Sequence, residues 1–278
     1  MTYKEMWQRL APLYGSDEAR SIARLVFDRS LGMSLTDICV GKDSELSDKE
    51  KHLTEEITSR LEKNEPVQYV LGSETFCGRD FSVGPGVLIP RPETERLAAM
   101  TAECCRYMQH APSILDIGTG SGCLAVTAAL DIEGSEVTAW DISPRALDIA
   151  RSNAARLKAD VKFELCDALH PPVDARRWDI IVSNPPYVAE RERTDMRPNV
   201  LDYEPATALF VPDDDPTLFY RAIARYAFGS LKPRGGLLFE ANPLFISQTV
   251  EAIEEAGLTR VETVDDMFGK RRFINCSV

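Results

Sequence analysis

Long apolar runs are missing from this sequence. No stretch approaches the roughly 20 residues that a membrane-crossing helix needs, and Met1 to Tyr14 alternates polar and apolar residues without a signal-peptide core. Histidine is scarce: only His52, His110 and His170 occur, in no ligand-like cluster, which argues against a zinc centre or a Ser-His-Asp triad. The cysteines (Cys39, Cys77, Cys104, Cys105, Cys123, Cys166 and Cys276) are scattered, odd in number and without C-x-x-C spacing, as free thiols of a reducing compartment would be. Basic charge is short too. Against 44 Asp and Glu stand 32 Lys and Arg, and the formal net charge of −12 has the wrong sign for gripping nucleic acid mainly through phosphates. These absences predict a cytoplasmic protein with no metal, no membrane and no direct nucleic-acid partner.

What is present falls into three stretches along 278 residues. Residues 1–71 read as short amphipathic helices: Ser16 to Arg29 carries Ala19, Ile22, Ala23 and Val26 on one stripe, and Leu53, Ile57 and Leu61 follow the capping-box spacing Ser47-Asp48-Lys49-Glu50. Residues 72–91 change to glycine- and proline-punctuated extended runs, with Phe76, Phe81 and Val83 alternating and Val87-Leu88-Ile89 continuous, which predicts a β-hairpin linker. In residues 92–278 a helix from about Pro92 precedes alternating strands and helices. The strands are expected at Ser113–Ile117, Glu136–Trp140, Val161–Leu165, Trp178–Val182 and Gly236–Glu240, the last after a helix ending in Leu231–Gly235. Such alternation predicts an α/β fold with a mostly parallel sheet, closed by an antiparallel pair at Arg260–Val264 and Arg272–Cys276.

The chemistry concentrates in two places. Asn184-Pro185-Pro186-Tyr187 follows the apolar run Ile180-Ile181-Val182. Two prolines donate no backbone hydrogen bonds and hold φ near −65°, so the strand ends with stiff carbonyls beside an amide and an aromatic ring. That set can accept hydrogen bonds from a planar NH2 group, of an amide or an amino-purine, with Tyr187 covering its flat face. Upstream, Asp116-Ile117-Gly118-Thr119-Gly120-Ser121-Gly122 places glycines at every second position after the first strand. Glycine allows close backbone approach to a ligand, and the next helix start points N–H groups at it. The G-x-G-x-G spacing differs from the G-x-G-x-x-G of dinucleotide sites and favours S-adenosyl-L-methionine. Asp141, ending the second strand, is placed to accept from both ribose hydroxyls. Asp116 could face the methionine amine or bond the loop, and Asp167 beside Ala168 could contact the adenine or serve as a turn residue.

Assembled, these residues resemble the HemK/PrmC family of protein-(glutamine-N5) methyltransferases over nearly the whole chain. The resemblance rests on Pro66-Val67-Gln68-Tyr69-Val70-Leu71-Gly72, Leu88-Ile89-Pro90-Arg91-Pro92-Glu93-Thr94-Glu95, Asp116 to Gly122, Asn184 to Tyr187, and Tyr203-Glu204-Pro205-Ala206-Thr207-Ala208-Leu209, in that order. It implies a class I (Rossmann-like) methyltransferase domain behind a small helical bundle and a β-hairpin linker. It implies further that the glutamine of the Gly-Gly-Gln motif of peptide chain release factors is methylated, with Gly118 to Gly122 and Asp141 holding the cofactor and Asn184 to Tyr187 the glutamine. The helical domain would dock the release factor, the enzyme acting as a monomer. The competing readings are a ribosomal protein glutamine methyltransferase, a DNA adenine-N6 methyltransferase and a non-enzymatic cofactor-binding module.

Overall fold

A computed structural model describes residues 1–173 and 178–278. Two compact units are present: Met1–Ser73 with Arg197–Tyr203, and Glu74–Met196 with Glu204–Val278. The sequence boundaries put 197–203 in the second domain. The structure places it with the helices, where Arg197 pairs with Glu18 at 2.7 Å and the Tyr203 hydroxyl donates to the Lys63 carbonyl at 2.8 Å.

The first unit holds α1 (Tyr3–Tyr14), α2 (Ser16–Leu31), α3 (Leu35–Cys39), α4 (Asp48–Leu61) and α5 (Val67–Leu71). Thr2, Ser34 and Ser47 each close a capping box, which satisfies amides that a helix start leaves unpaired. Helical spacing brings Met6, Leu10, Val26, Phe27 and Leu61 into one fully buried cluster.

The second unit begins with a two-stranded hairpin, β1 (Ser73–Phe76) and β2 (Arg79–Ser82). Its two-residue turn has positive φ at Cys77 and Gly78, which matches the twist of paired strands. The predicted run Val87–Ile89 forms no strand; Val87 and Ile89 are buried in an irregular segment instead. Then come α6 (Thr94–Cys105), β3 (Ser113–Ile117), α7 (Cys123–Asp131), β4 (Glu136–Asp141), α8 (Pro144–Leu157), β5 (Val161–Leu165), β6 (Trp178–Ser183) and the short β7 (Val188–Ala189). After α9 (Pro198–Leu201), which belongs to the first unit, come β8 (Phe210–Val211), α10 (Leu218–Ser230), β9 (Leu231–Glu240), α11 (Ile246–Glu255), β10 (Thr259–Asp265) and β11 (Arg271–Ser277).

Seven strands form one sheet in the order β10-β11-β9-β6-β3-β4-β5; the five from β9 to β5 are parallel, and β11 runs antiparallel to both β9 and β10. Neighbouring strand residues point to opposite faces, so Ile114, Ile180 and Leu238 enter one core with α6 and α7, while Leu115, Ile181 and Leu237 enter the other with α10 and α11. Both cores are therefore read from the same apolar runs. One strand boundary differs from expectation: Leu231–Gly235 opens β9 rather than ending α10. The pairing jumps from Trp178↔Leu231 to Ile180↔Gly236, an irregularity that accommodates Pro233 and the positive φ of Arg234. No helix among the described residues is long and apolar enough to cross a membrane.

Candidate active site

Strand order makes the site. β3 pairs directly with β6, Ile117 opposite Ser183, so the loop after β3 and the tetrapeptide after β6 leave neighbouring strand ends at the carboxyl edge of the sheet. In open α/β sheets ligands bind at that edge, where strand order reverses. A cavity of about 360 Å³ lies there within the second unit. Of the residues picked from sequence, Gly118, Gly120, Asp141, Asp167, Ala168, Asn184, Pro185 and Pro186 line it.

The glycine loop is held from below. Gly118 and Thr119 donate backbone N–H groups to the Trp140 carbonyl, both at 2.9 Å, and Gly120 donates to Asp141 Oδ2 at 2.9 Å. Gly122 caps α7 at φ +83°, and a Cβ there would sit 3.0 Å from that of Ala150, so only glycine lets α7 and α8 approach this closely. Asp141 Oδ1 accepts from the Ser143 N–H at 2.8 Å. Burial raises the Asp141 pKa, opposed by these backbone donors.

Asp116, Thr119, Ser121 and Gly122 are not among the described residues lining the cavity. Asp116 is completely buried and accepts the Thr119 hydroxyl on Oδ2 at 2.7 Å. Its Oδ1 has no hydrogen-bond partner among the described residues, nor has Ser121 Oγ, and burial pushes its pKa up to about 7. The carboxylate thus braces the loop. Asp167 has both oxygens engaged, by His170 Nδ1 at 2.8 Å and the Leu169 N–H at 2.9 Å, and the histidine holds its pKa down.

Behind the tetrapeptide stands a polar chain that sequence reasoning missed. Asn184 Nδ2 donates to Thr94 Oγ1 at 3.2 Å, and Thr94 donates to Glu240 Oε2 at 2.7 Å. Tyr187, expected to cover the acceptor, instead turns its hydroxyl inward to Glu240 Oε1 at 3.0 Å and is not among the described cavity-lining residues. Its ring packs on the core beside α10, and burial pushes its phenol well above the usual range. Asn242 Nδ2 donates to the Tyr187 carbonyl at 3.1 Å. Also missed were Asn153, which bridges Ser82 and the Ser121 carbonyl, and Glu204, which accepts from the Ile89 N–H at 3.0 Å and pairs with Arg91 at 2.6 Å. Two carried a sequence signal, Glu204 by its place in Tyr203-Glu204-Pro205 and Thr94 by its place in Pro92-Glu93-Thr94-Glu95.

The cavity is a fit for the expected cofactor. Bare glycine backbone faces it, Asp141 sits at the β4 end with lone pairs to spare for hydroxyls, and an unpaired buried carboxylate oxygen lies beneath the loop.

Known proteins resemble the chain in both of its parts. A family described as PrmC N-terminal domain matches residues 4–72, and one described as Methyltransferase small domain matches 98–202. A release factor glutamine methyltransferase of Bacteroides thetaiotaomicron is 44% identical over 97% of this chain and 96% of its own length. Another of the same description, from Flavobacterium psychrophilum, is 35% identical over 96% of this chain and 94% of its own. A methyltransferase structure from Pyrococcus furiosus superposes with a TM-score of 0.53 at 18% identity, covering 79% of this chain and 96% of its own, which establishes a shared fold.

Proposed function

Since the chain belongs to the HemK/PrmC family of release factor glutamine methyltransferases, we propose that it methylates the glutamine of the Gly-Gly-Gln motif in a peptide chain release factor, at the side-chain amide nitrogen. The adjacency of β3 and β6 carries the reading, because it sets Asn184, Pro185 and Pro186 around the same cavity as Gly118, Gly120 and Asp141. S-adenosyl-L-methionine bound there supplies an electrophilic sulfonium methyl group. Asp141 takes the ribose hydroxyls, Asp167 and Ala168 form the adenine side, and Asp116, Thr119, Ser121 and Gly122 keep the loop in shape.

An amide nitrogen is a weak nucleophile because its lone pair is delocalised. The Asn184 Oδ1 and the Pro185 carbonyl accept from its two hydrogens, which aims the nitrogen and favours its pyramidal form. Each bond contributes a net of about 1 kcal/mol to binding. Positioning is the larger effect, up to roughly 7–11 kcal/mol off the barrier. Alkylation makes the nitrogen acidic, so its proton passes to water and the tetrapeptide needs no general base. Tyr187 acts by holding the tetrapeptide rather than by covering the acceptor.

The helical unit, with its PrmC N-terminal match, docks the release factor. The net charge of −12 supports a protein partner over direct nucleic-acid binding, and seven free thiols support a cytoplasmic setting. We read the enzyme as a monomer. Incubation with labelled cofactor and separate release factor, ribosomal protein and DNA substrates tests the assignment. Label on the release factor is expected; label on DNA or ribosomal protein with an unlabelled release factor overturns it.

A further inference from the structure

Asn184 can serve an NH2 acceptor only if its oxygen, not its nitrogen, faces the cavity. An amide is nearly symmetric in shape, so packing alone does not choose between the two orientations. Hydrogen-bond polarity does. Glu240, the last residue of β9, is 1% exposed, and each of its carboxylate oxygens already takes a hydroxyl: Oε1 from Tyr187 at 3.0 Å and Oε2 from Thr94 at 2.7 Å. Burial raises the Glu240 pKa, opposed by these two hydroxyl donors and by the Arg272 charge; the ionised carboxylate offers no proton, so both hydroxyls donate to it.

Thr94 has one proton and spends it there. Its oxygen can then only accept, and it meets the Asn184 NH2 at 3.2 Å. Reversing the amide would set two oxygens with no proton between them face to face, in a place where Thr94 is 3% exposed and water offers no relief. We propose that Glu240, acting through Thr94, is a positioning residue that fixes the Asn184 amide with Oδ1 toward the acceptor. Tyr187 completes the arrangement by occupying the second carboxylate oxygen, which leaves Oε2 to Thr94. Neither Thr94 nor Glu240 is among the described residues lining the cavity, so both act at one remove from the substrate.

The inference rests on the reading of Asn184 as the acceptor-binding group, and one set of assays separates the two. Wild type, Thr94→Val, Thr94→Ser and Glu240→Gln are compared with a release factor and S-adenosyl-L-methionine, measuring kcat, both KM values and cofactor affinity. Valine keeps the volume and removes the acceptor oxygen, whereas serine keeps the oxygen. Thr94→Val should lower kcat at least about tenfold with cofactor affinity within about twofold, and Thr94→Ser should stay within about threefold of wild type. Glu240→Gln presents an NH2 that frees the Thr94 proton to turn on Asn184, and should fall as far as Thr94→Val. Should Glu240→Gln not fold, the Thr94 pair decides alone. Wild-type kcat in Thr94→Val, or equal losses in valine and serine variants, overturns the positioning role while wild-type turnover leaves the acceptor reading intact. A wild-type protein that leaves the release factor unmethylated overturns the acceptor reading itself.

Discussion

Two side chains at the ends of β6 and β3 carry opposite kinds of consequence. Asn184 stands in the cavity wall, and under the proposed function its effect falls on the acceptor. Asn184→Ala is expected to abolish transfer, by 100-fold or more in rate on the order of an oxyanion-type contact, while cofactor affinity by calorimetry stays within about tenfold. Asp116 belongs to the fold. Its carboxyl has an ordinary pKa near 3.9 in an unfolded chain and is pushed up to about 7 by burial. Between those values the folded state holds a proton that the unfolded state has lost, so stability is fully present below about pH 4 and declines as pH rises to 7. Asp116→Asn removes that decline. In the ligand-free protein it should unfold in urea a few kcal/mol less readily than wild type at pH 8, with the difference vanishing near pH 4. Equal stability of variant and wild type at both pH values would place the proton uptake elsewhere than Asp116. At this scale the sequence disclosed what acts through neighbours in the chain, such as glycine spacing and paired prolines. It hid the link from Asn184 through Thr94 to Glu240, whose bonds span 90 and 146 residues.

Among elements, the irregular segment before α6 is fixed by one buried carboxylate. Glu204 holds both the Ile89 N–H and Arg91, and thereby fastens Val87 and Leu88 into the cavity wall. Glu204→Ala leaves a buried amide unpaired and a guanidinium without its partner. The expected cost is about 2 kcal/mol, below the range for a wholly buried pair because Arg91 is about one-third exposed. Cofactor affinity should weaken several-fold with it, as read by urea denaturation and calorimetry on the same variant. Unchanged affinity would show that Val87 and Leu88 keep their place without the clamp. The strands were legible because buried parallel strands are continuous apolar runs, as Ile180 to Val182 and Leu237 to Phe239 are. Val87–Ile89 has the same composition and no strand partner: apolar burial by itself does not distinguish a strand from a packed loop. Leu231–Gly235 failed for the converse reason, since Pro233 and Gly235 punctuate a strand that tolerates them through a shift in pairing.

For the molecule as a whole, the cores are separate. Met6, Leu10, Val26, Phe27 and Leu61 pack with residues of the helical unit, and the cavity is lined from the other unit throughout the described residues. Leu10→Ala should therefore destabilise the helical unit by about 2–5 kcal/mol yet leave cofactor affinity within about twofold. Circular dichroism and calorimetry on the variant check both, and a parallel loss of affinity would mean that the units unfold as one. Composition puts a boundary after residue 71, where helical periodicity gives way to glycine and proline, and the compact units divide after Ser73. The return of Arg197–Tyr203 was not legible, because Arg197 to Glu18 is a contact across 179 residues with no local pattern to announce it.

That returning segment sets a timetable. Chains emerge from the ribosome amino end first, at about 5–20 residues per second, and domains ordinarily fold in that order. Here the helices at the front of the chain wait for Arg197 and Tyr203, the donors to Glu18 and Lys63, which arrive only after the glycine loop and the tetrapeptide have been made. The first unit to begin is thus completed only late, and its final contacts report that the glycine loop and the tetrapeptide have already been translated, ahead of β9 to β11.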